Sequence, residues 1–173
     1  MRKRIASARG DLTGDGAAET LILSGEQSAG SAYWQNIELT VTDGRTGRTV
    51  RVPLAHDEGY DPQLVLGSMT ARDRADVLIA LETGSSGAIG LYSVIAYQNS
   101  AYQTVFDSEQ YARQMRYRVR YLDQYAVRAE SENTGMAYFI DLAGKDSDYL
   151  AQLYDENGRL KREQEGFVDP VSL

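Results

Sequence analysis

The chain has 173 residues, enough for one domain with a sizeable core or a small array of repeats, and too few for two comfortable domains. Its 18 basic and 25 acidic residues give a net charge of -7, which argues against a nucleic-acid backbone or an anionic membrane as the main partner. There is no cysteine, so a disulfide framework and a thiolate metal site are both excluded.

Met1-Arg2-Lys3-Arg4 has the charge of a secretory n-region, but Ile5-Ala6-Ser7-Ala8-Arg9 supplies no apolar h-region, and the expectation is a mature or trimmed form. No apolar run approaches the length that spans a bilayer, and membrane insertion is not expected; Val77 to Leu81 is the longest clear run.

Next comes the acidic stretch Gly10 to Glu19, followed at once by the apolar run Thr20 to Leu23. Asp11, Thr13, Asp15, Ala17 and Glu19 occupy positions 1, 3, 5, 7 and 9 of a loop whose sharp turn is supplied by Gly14 and Gly16. That is the spacing of an oxygen-only calcium loop. The reading assigns carboxylates to Asp11, Asp15 and Glu19, a hydroxyl or water-mediated contact to Thr13, and the main-chain carbonyl to Ala17. Three carboxylates within nine residues repel one another unless a cation sits among them; the simpler alternative is an acidic turn between strands.

Sliding the chain against itself by 57 residues aligns Gly10/Gly67, Thr13/Thr70, Ala18/Ala75, Leu21/Leu78 and Ile22/Ile79, with Glu19 over Asp76. The second loop reads Ser68, Thr70, Arg72, Arg74 and Asp76 at the five ligand positions. It is expected to bind no calcium, with the Arg72 guanidinium in place of the ion, paired to Asp76 or Asp73.

Elsewhere the pattern is β. Glu38 to Thr42 and Thr49 to Leu54 alternate around the turn Asp43 to Gly47, and Val77 to Leu81, Leu91 to Tyr97 and Gln103 to Phe106 repeat the plan across the glycine-rich link Gly84 to Gly90. Tyr117 to Tyr121 and Tyr125 to Ala129 form another alternating pair, and Ala137 to Leu142 adds a strand. Asp146 or Ser147 caps one expected helix through Tyr154, with Gly158 beyond its end. The arginines between Arg113 and Arg120 alternate with Met115, Tyr117 and Val119, as on a solvated strand face.

Asp11-Leu12-Thr13-Gly14-Asp15-Gly16 with Glu19 and a following β run, present in degenerate form at Ser68 to Asp76, resembles the VCBS and FG-GAP repeats of integrin-like propeller blades. Val41 to Gly47, Gly59 to Pro62, Gly84 to Gly90, Asp148 to Leu150 and Asn157 to Leu160 extend the likeness to small VCBS-repeat proteins of Gram-positive, often spore-forming bacteria, some labelled spore-coat proteins. The resemblance implies an extracellular or cell- or spore-surface location and carries no catalytic residues. In that group the second loop usually keeps its Asp and Gly, which Ser68, Arg72 and Asp73 replace here.

Three further signals have ordinary explanations. Arg9-Gly10-Asp11 spells a cell-adhesion tripeptide, but Asp11 is already needed by the loop; Gly84 to Gly90 lacks the Lys-Ser or Lys-Thr of a phosphate cradle; and His56, the single histidine, reads as a solvated loop residue. Trp34 and the twelve tyrosines suit a core, or a carbohydrate platform.

The expectation is a mainly β protein of antiparallel, propeller-like blades with one short C-terminal helix, the alternative being an open β-sandwich. It forms a single domain, 1–173, with units of about 8–66, 67–112 and 113–173. Its expected role is that of a calcium-stabilised surface module that binds a protein or carbohydrate partner or serves structure. A hydrolase using a carboxylate pair and a ligand-free spore-coat protein are the competing readings.

Overall fold

A computed structural model of the chain describes residues 2–84 and 90–166, and it is mainly β with every strand pair antiparallel. The chain divides into two compact units, Met1–Tyr111 and Ala112–Leu173. Most of the glycine-rich link, 85–89, lies outside the described residues.

The first unit contains β1 (Arg2–Gly10), β2 (Glu19–Gln27), β3 (Tyr33–Thr42), β4 (Thr49–Val52), β5 (Gly59–Gly67), β6 (Asp76–Glu82), β7 (Gly90–Gln98) and β8 (Ala101–Asp107). They form one sheet in the order β1-β2-β3-β5-β6-β7-β8, with β4 paired to β3; the path does not close on itself. Period-2 alternation turns one side of each strand inward: Leu21 and Leu23 from β2, Leu39 and Val41 from β3, Val52 from β4, Val77, Ile79 and Leu81 from β6 and Ile95 from β7 share one core. Each fully buried Leu in it contributes about 2 kcal/mol. The sheet narrows at β3–β5, which pair through Tyr33–Tyr60 and Trp34–Gly59, and folds back there so that β1 packs on β5. A Cβ on Gly10 would stand 2.8 Å from a Leu66 methyl, so a larger residue there would push the Leu66 side chain aside.

The 57-residue offset holds at the hairpin ends, although on β6 Val77 and Ile79 face the core and Leu78, the equivalent of the core residue Leu21, does not. Gly10 pairs with Glu19 at the end of β1–β2, and Gly67 with Asp76 at the end of β5–β6, each pair closing a hairpin at the same position in the repeat.

The second unit holds a four-stranded sheet in the order β11-β10-β9-β12, built from β9 (Tyr117–Leu122), β10 (Ala126–Ser131), β11 (Ala137–Asp141) and β12 (Glu165–Gly166). Val119, Val127, Ala129, Leu142 and Tyr154 form its core, with Leu150 and Leu153 of the helix Ser147–Leu153 packed against it. That helix begins where the sequence places it: the Asp146 carboxylate accepts the N–H groups of Asp148 and Tyr149.

The expectation of one helix requires correction. A second one, α1 (Ser108–Gln114), directly follows β8, because Asp107 at the strand's end accepts the N–H groups of Glu109 and Gln110 and so serves as a cap. The C-terminal helix is therefore α2.

Candidate functional site

The β1–β2 loop is built on its own side chains. The Asp11 carboxylate accepts the N–H of Gly14 at 2.7 Å and of Gly16 at 2.8 Å, while both glycines take left-handed φ values of 79° and 83°. Asp15 accepts the Ala17 N–H at 2.8 Å. Its other carboxylate oxygen meets Arg45 Nε at 3.0 Å, and the same guanidinium donates to the Asp15 carbonyl at 2.7 Å. Leu12 buries its side chain in the core and donates its N–H to Glu19 Oε2 at 2.7 Å.

Glu19 is completely buried, and its second oxygen, Oε1, has no hydrogen-bond partner among the described residues. The buried hydroxyl oxygen of Thr13 has none either. An unpartnered buried oxygen costs about 1–3 kcal/mol, so this loop leaves two polar atoms waiting for a donor or a cation. The five sequence-predicted residues lie in the loop and at the start of β2, in different states: Asp11 is turned onto loop amides, Asp15 is engaged by the Ala17 amide and by Arg45, and Thr13 and Glu19 hold free oxygens. Arg45, thirty residues from Asp15, was not identified from the sequence.

Among the described residues no three His, Cys, Asp or Glu side chains gather closely enough to hold a metal ion by themselves. A cation here would have to draw on hydroxyl and main-chain oxygens as well. The set of Asp11, Thr13, Asp15, the Ala17 carbonyl and Glu19 is oxygen-only; Thr13 and Glu19 hold the two oxygens without partners, while Asp11 and Asp15 would have to give up donors to hold a hard cation.

In the degenerate loop protein donors fill the carboxylate, while the buried Nε of Arg74 has no hydrogen-bond partner among the described residues. Asp76, also completely buried, accepts the N–H of Met69 at 2.9 Å and the N–H and hydroxyl of Thr70 at 2.6 and 3.0 Å. Met69 is the repeat equivalent of Leu12, so this amide-to-carboxylate bond is common to both copies. The expected Arg72 pair is not formed: no ion pair joins Arg72 to Asp76 or Asp73 among the described residues, because backbone and hydroxyl donors already fill the carboxylate. The two loops are tied by the Ala75 N–H, which donates to the Asp11 carbonyl at 2.8 Å.

The β3–β4 turn lies against the first loop. Asp43 accepts the N–H groups of Arg45 and Thr46 at 2.9 and 2.6 Å. Its carboxyl is held below the usual carboxylate range, chiefly by the Thr46 N–H; that of Asp11 is held low chiefly by the Gly16 N–H. Depressed carboxyl pKa values give stability that is present above the unfolded value of 3.8 and lost as pH falls through the lower folded values. The thermal midpoint is therefore expected to fall as pH drops from about 4 to about 2, with Asp11→Asn flattening the slope; a midpoint constant over this range would contradict the capping role.

His56 also departs from expectation. It is largely buried, with Nε2 3.3 Å from Asp107 Oδ1, and so fastens the Leu54-to-Gly59 loop to the residue that caps α1. Burial raises the Asp107 carboxyl, but the Gln110 N–H and His56 outweigh it and bring it below its ordinary value. The Arg9-Gly10-Asp11 tripeptide has its carboxylate engaged by the Gly14 and Gly16 amides.

These features define an antiparallel β protein in which duplicated hairpins each end in a loop closed by a buried carboxylate. Residues 115–173 match the YybI C-terminal domain. Over 171 residues the chain is 39% identical to the uncharacterised protein YybI of Bacillus subtilis (strain 168), an alignment covering 99% of this chain and 65% of that protein. The chain thus spans just under two thirds of the length of this relative. No solved structure matches it. No helix among the described residues is long and apolar enough to cross a membrane.

Proposed function

We propose that the chain is a calcium-stabilised surface module of the VCBS and FG-GAP kind, with a binding role outside the cell or at its surface. The observation that carries this reading is the completely buried Glu19 carboxylate, whose Oε1 lacks a partner while the Thr13 hydroxyl in the same loop lacks one too. A hard cation bound among Asp11, Thr13, Asp15, the Ala17 carbonyl and Glu19 supplies the missing positive charge and locks the hairpin end. Asp76 supports the same reading from the other side, because the copy that lost the acidic spacing carries a carboxylate with three donors.

Melting of wild type and Asp15→Ala with and without calcium tests this. Calcium at about 100 times its dissociation constant adds about 2.7 kcal/mol, a rise in midpoint on the order of 10 °C. The gain is expected in wild type and lost in Asp15→Ala. Identical wild-type midpoints in calcium and in chelator would remove the calcium reading.

A further inference from the structure

We propose that a cavity at one end of the first unit binds a neutral saccharide, with its ring faces on Tyr97 and Tyr102 and its hydroxyls on Asp43 and Arg48. The proposal deepens the binding role above and does not depend on calcium.

The cavity measures about 360 Å³, within the range of small-ligand sites. It forms where the core face of the strands runs out. On β3 the inward positions Leu39 and Val41 continue to Asp43, and on β4 Val52 and Val50 continue back to Arg48, so alternation brings a carboxylate and a guanidinium to the end of an aliphatic floor. On β7 the inward position after Ile95 is Tyr97, which pairs across the hairpin with Tyr102. Their rings lie 5.0 Å apart at 59° and make an aromatic wall. Thr13 closes the cavity from the β1–β2 loop.

The β7–β8 turn adds a second indication. Asn99 and Ser100 both have positive φ, 50° and 63°, the conformation of a two-residue hairpin turn that favours glycine at its second position. A serine there places a hydroxyl on the cavity rim at the expense of backbone ease.

The lining selects the ligand class. An apolar molecule would strand Arg48 and Asp43 away from water. Of the two guanidiniums in the lining, Arg51 is already paired with Glu38, and an anion at Arg48 would also face the Asp43 carboxylate. A sugar offers apolar C–H faces to aromatic rings and hydroxyls that both donate and accept, which matches an acceptor at Asp43 and a donor at Arg48.

The test is an NMR titration of the full chain with glucose, galactose, N-acetylglucosamine, maltose, cellobiose and chitobiose, in calcium and again in chelator. At least one sugar is expected to give saturable amide shifts confined to residues 97–102, 41–53 and the Thr13 loop, with millimolar affinity. Arg48→Gln should weaken it about fivefold, the loss of one hydrogen bond. Tyr97→Leu should weaken it further, and Ser100→Gly should weaken it without lowering the melting midpoint. Absence of saturable shifts for every sugar, shifts that map elsewhere, or unchanged affinity in Arg48→Gln and Tyr97→Leu would each overturn the proposal. Sugar binding in chelator with no calcium effect on melting would leave the cavity standing and remove the calcium reading; the reverse pattern would remove the cavity alone.

Discussion

Replacement of Asp76 by alanine is expected to lower the stability of the Met1–Tyr111 unit by about 4 kcal/mol. The carboxylate is completely buried and accepts two backbone N–H groups and a hydroxyl, all from Met69 and Thr70. Alanine removes every acceptor at once and leaves two amides that cannot rotate away, each costing about 1–3 kcal/mol when stranded. Thr70→Val, which deletes one hydroxyl and keeps both amide bonds, should cost about 1 kcal/mol. Trp34, the single tryptophan, packs on the first core and reports unfolding of that unit by fluorescence in urea. A loss below about 1 kcal/mol for Asp76→Ala would mean that the turn finds other acceptors, and the staple reading of this loop would fail.

Much of this arrangement could be read before any coordinates. Alternation at Leu21/Leu23, Leu39/Val41 and Val77/Ile79 marks strands because one face of each is buried, and Asp146 marks a helix start because its carboxylate has two free amides to accept. The 57-residue offset placed Glu19 over Asp76, and both close a hairpin on the amide seven residues earlier. Other features are hidden for physical reasons. β1 begins with exposed charges and is broken by a register shift between Arg4 and Ala6, so its period is interrupted. β5 carries Pro62 and a positive φ at Asp61 beside another shift, which reads as a turn although Leu64 and Leu66 face the core. The short α1 buries no residue and so has no apolar stripe to detect. The Arg45–Asp15 and His56–Asp107 pairs and the cavity at Tyr97 join segments that only the folding of the sheet brings together.

Gly44→Ala is expected to cost about 3 kcal/mol, the upper range for a side chain forced into a packed site. The reason is steric: a Cβ on Gly44 would collide with the Ala18 carbonyl oxygen and stand 2.8 Å from its carbon, both main-chain atoms that cannot swing aside. Either the β3–β4 turn or the Asp11 loop must move, and with it Arg45, whose pair with Asp15 spans the same junction. Gly16→Ala is the discriminating control. Gly16 has φ 83° with nothing within 4 Å of an added Cβ, so alanine there meets strain without a clash and should cost about 1 kcal/mol. Urea unfolding followed at Trp34 should therefore rank Gly44→Ala well below Gly16→Ala. The opposite ranking would mean that loop conformation, and not the contact of the β3–β4 turn with Ala18, holds this end of the sheet together. If the contact dominates, Gly44→Ala should also disturb the Arg45–Asp15 pair, because the carboxylate of Asp15 is positioned from the turn as well as from its own loop.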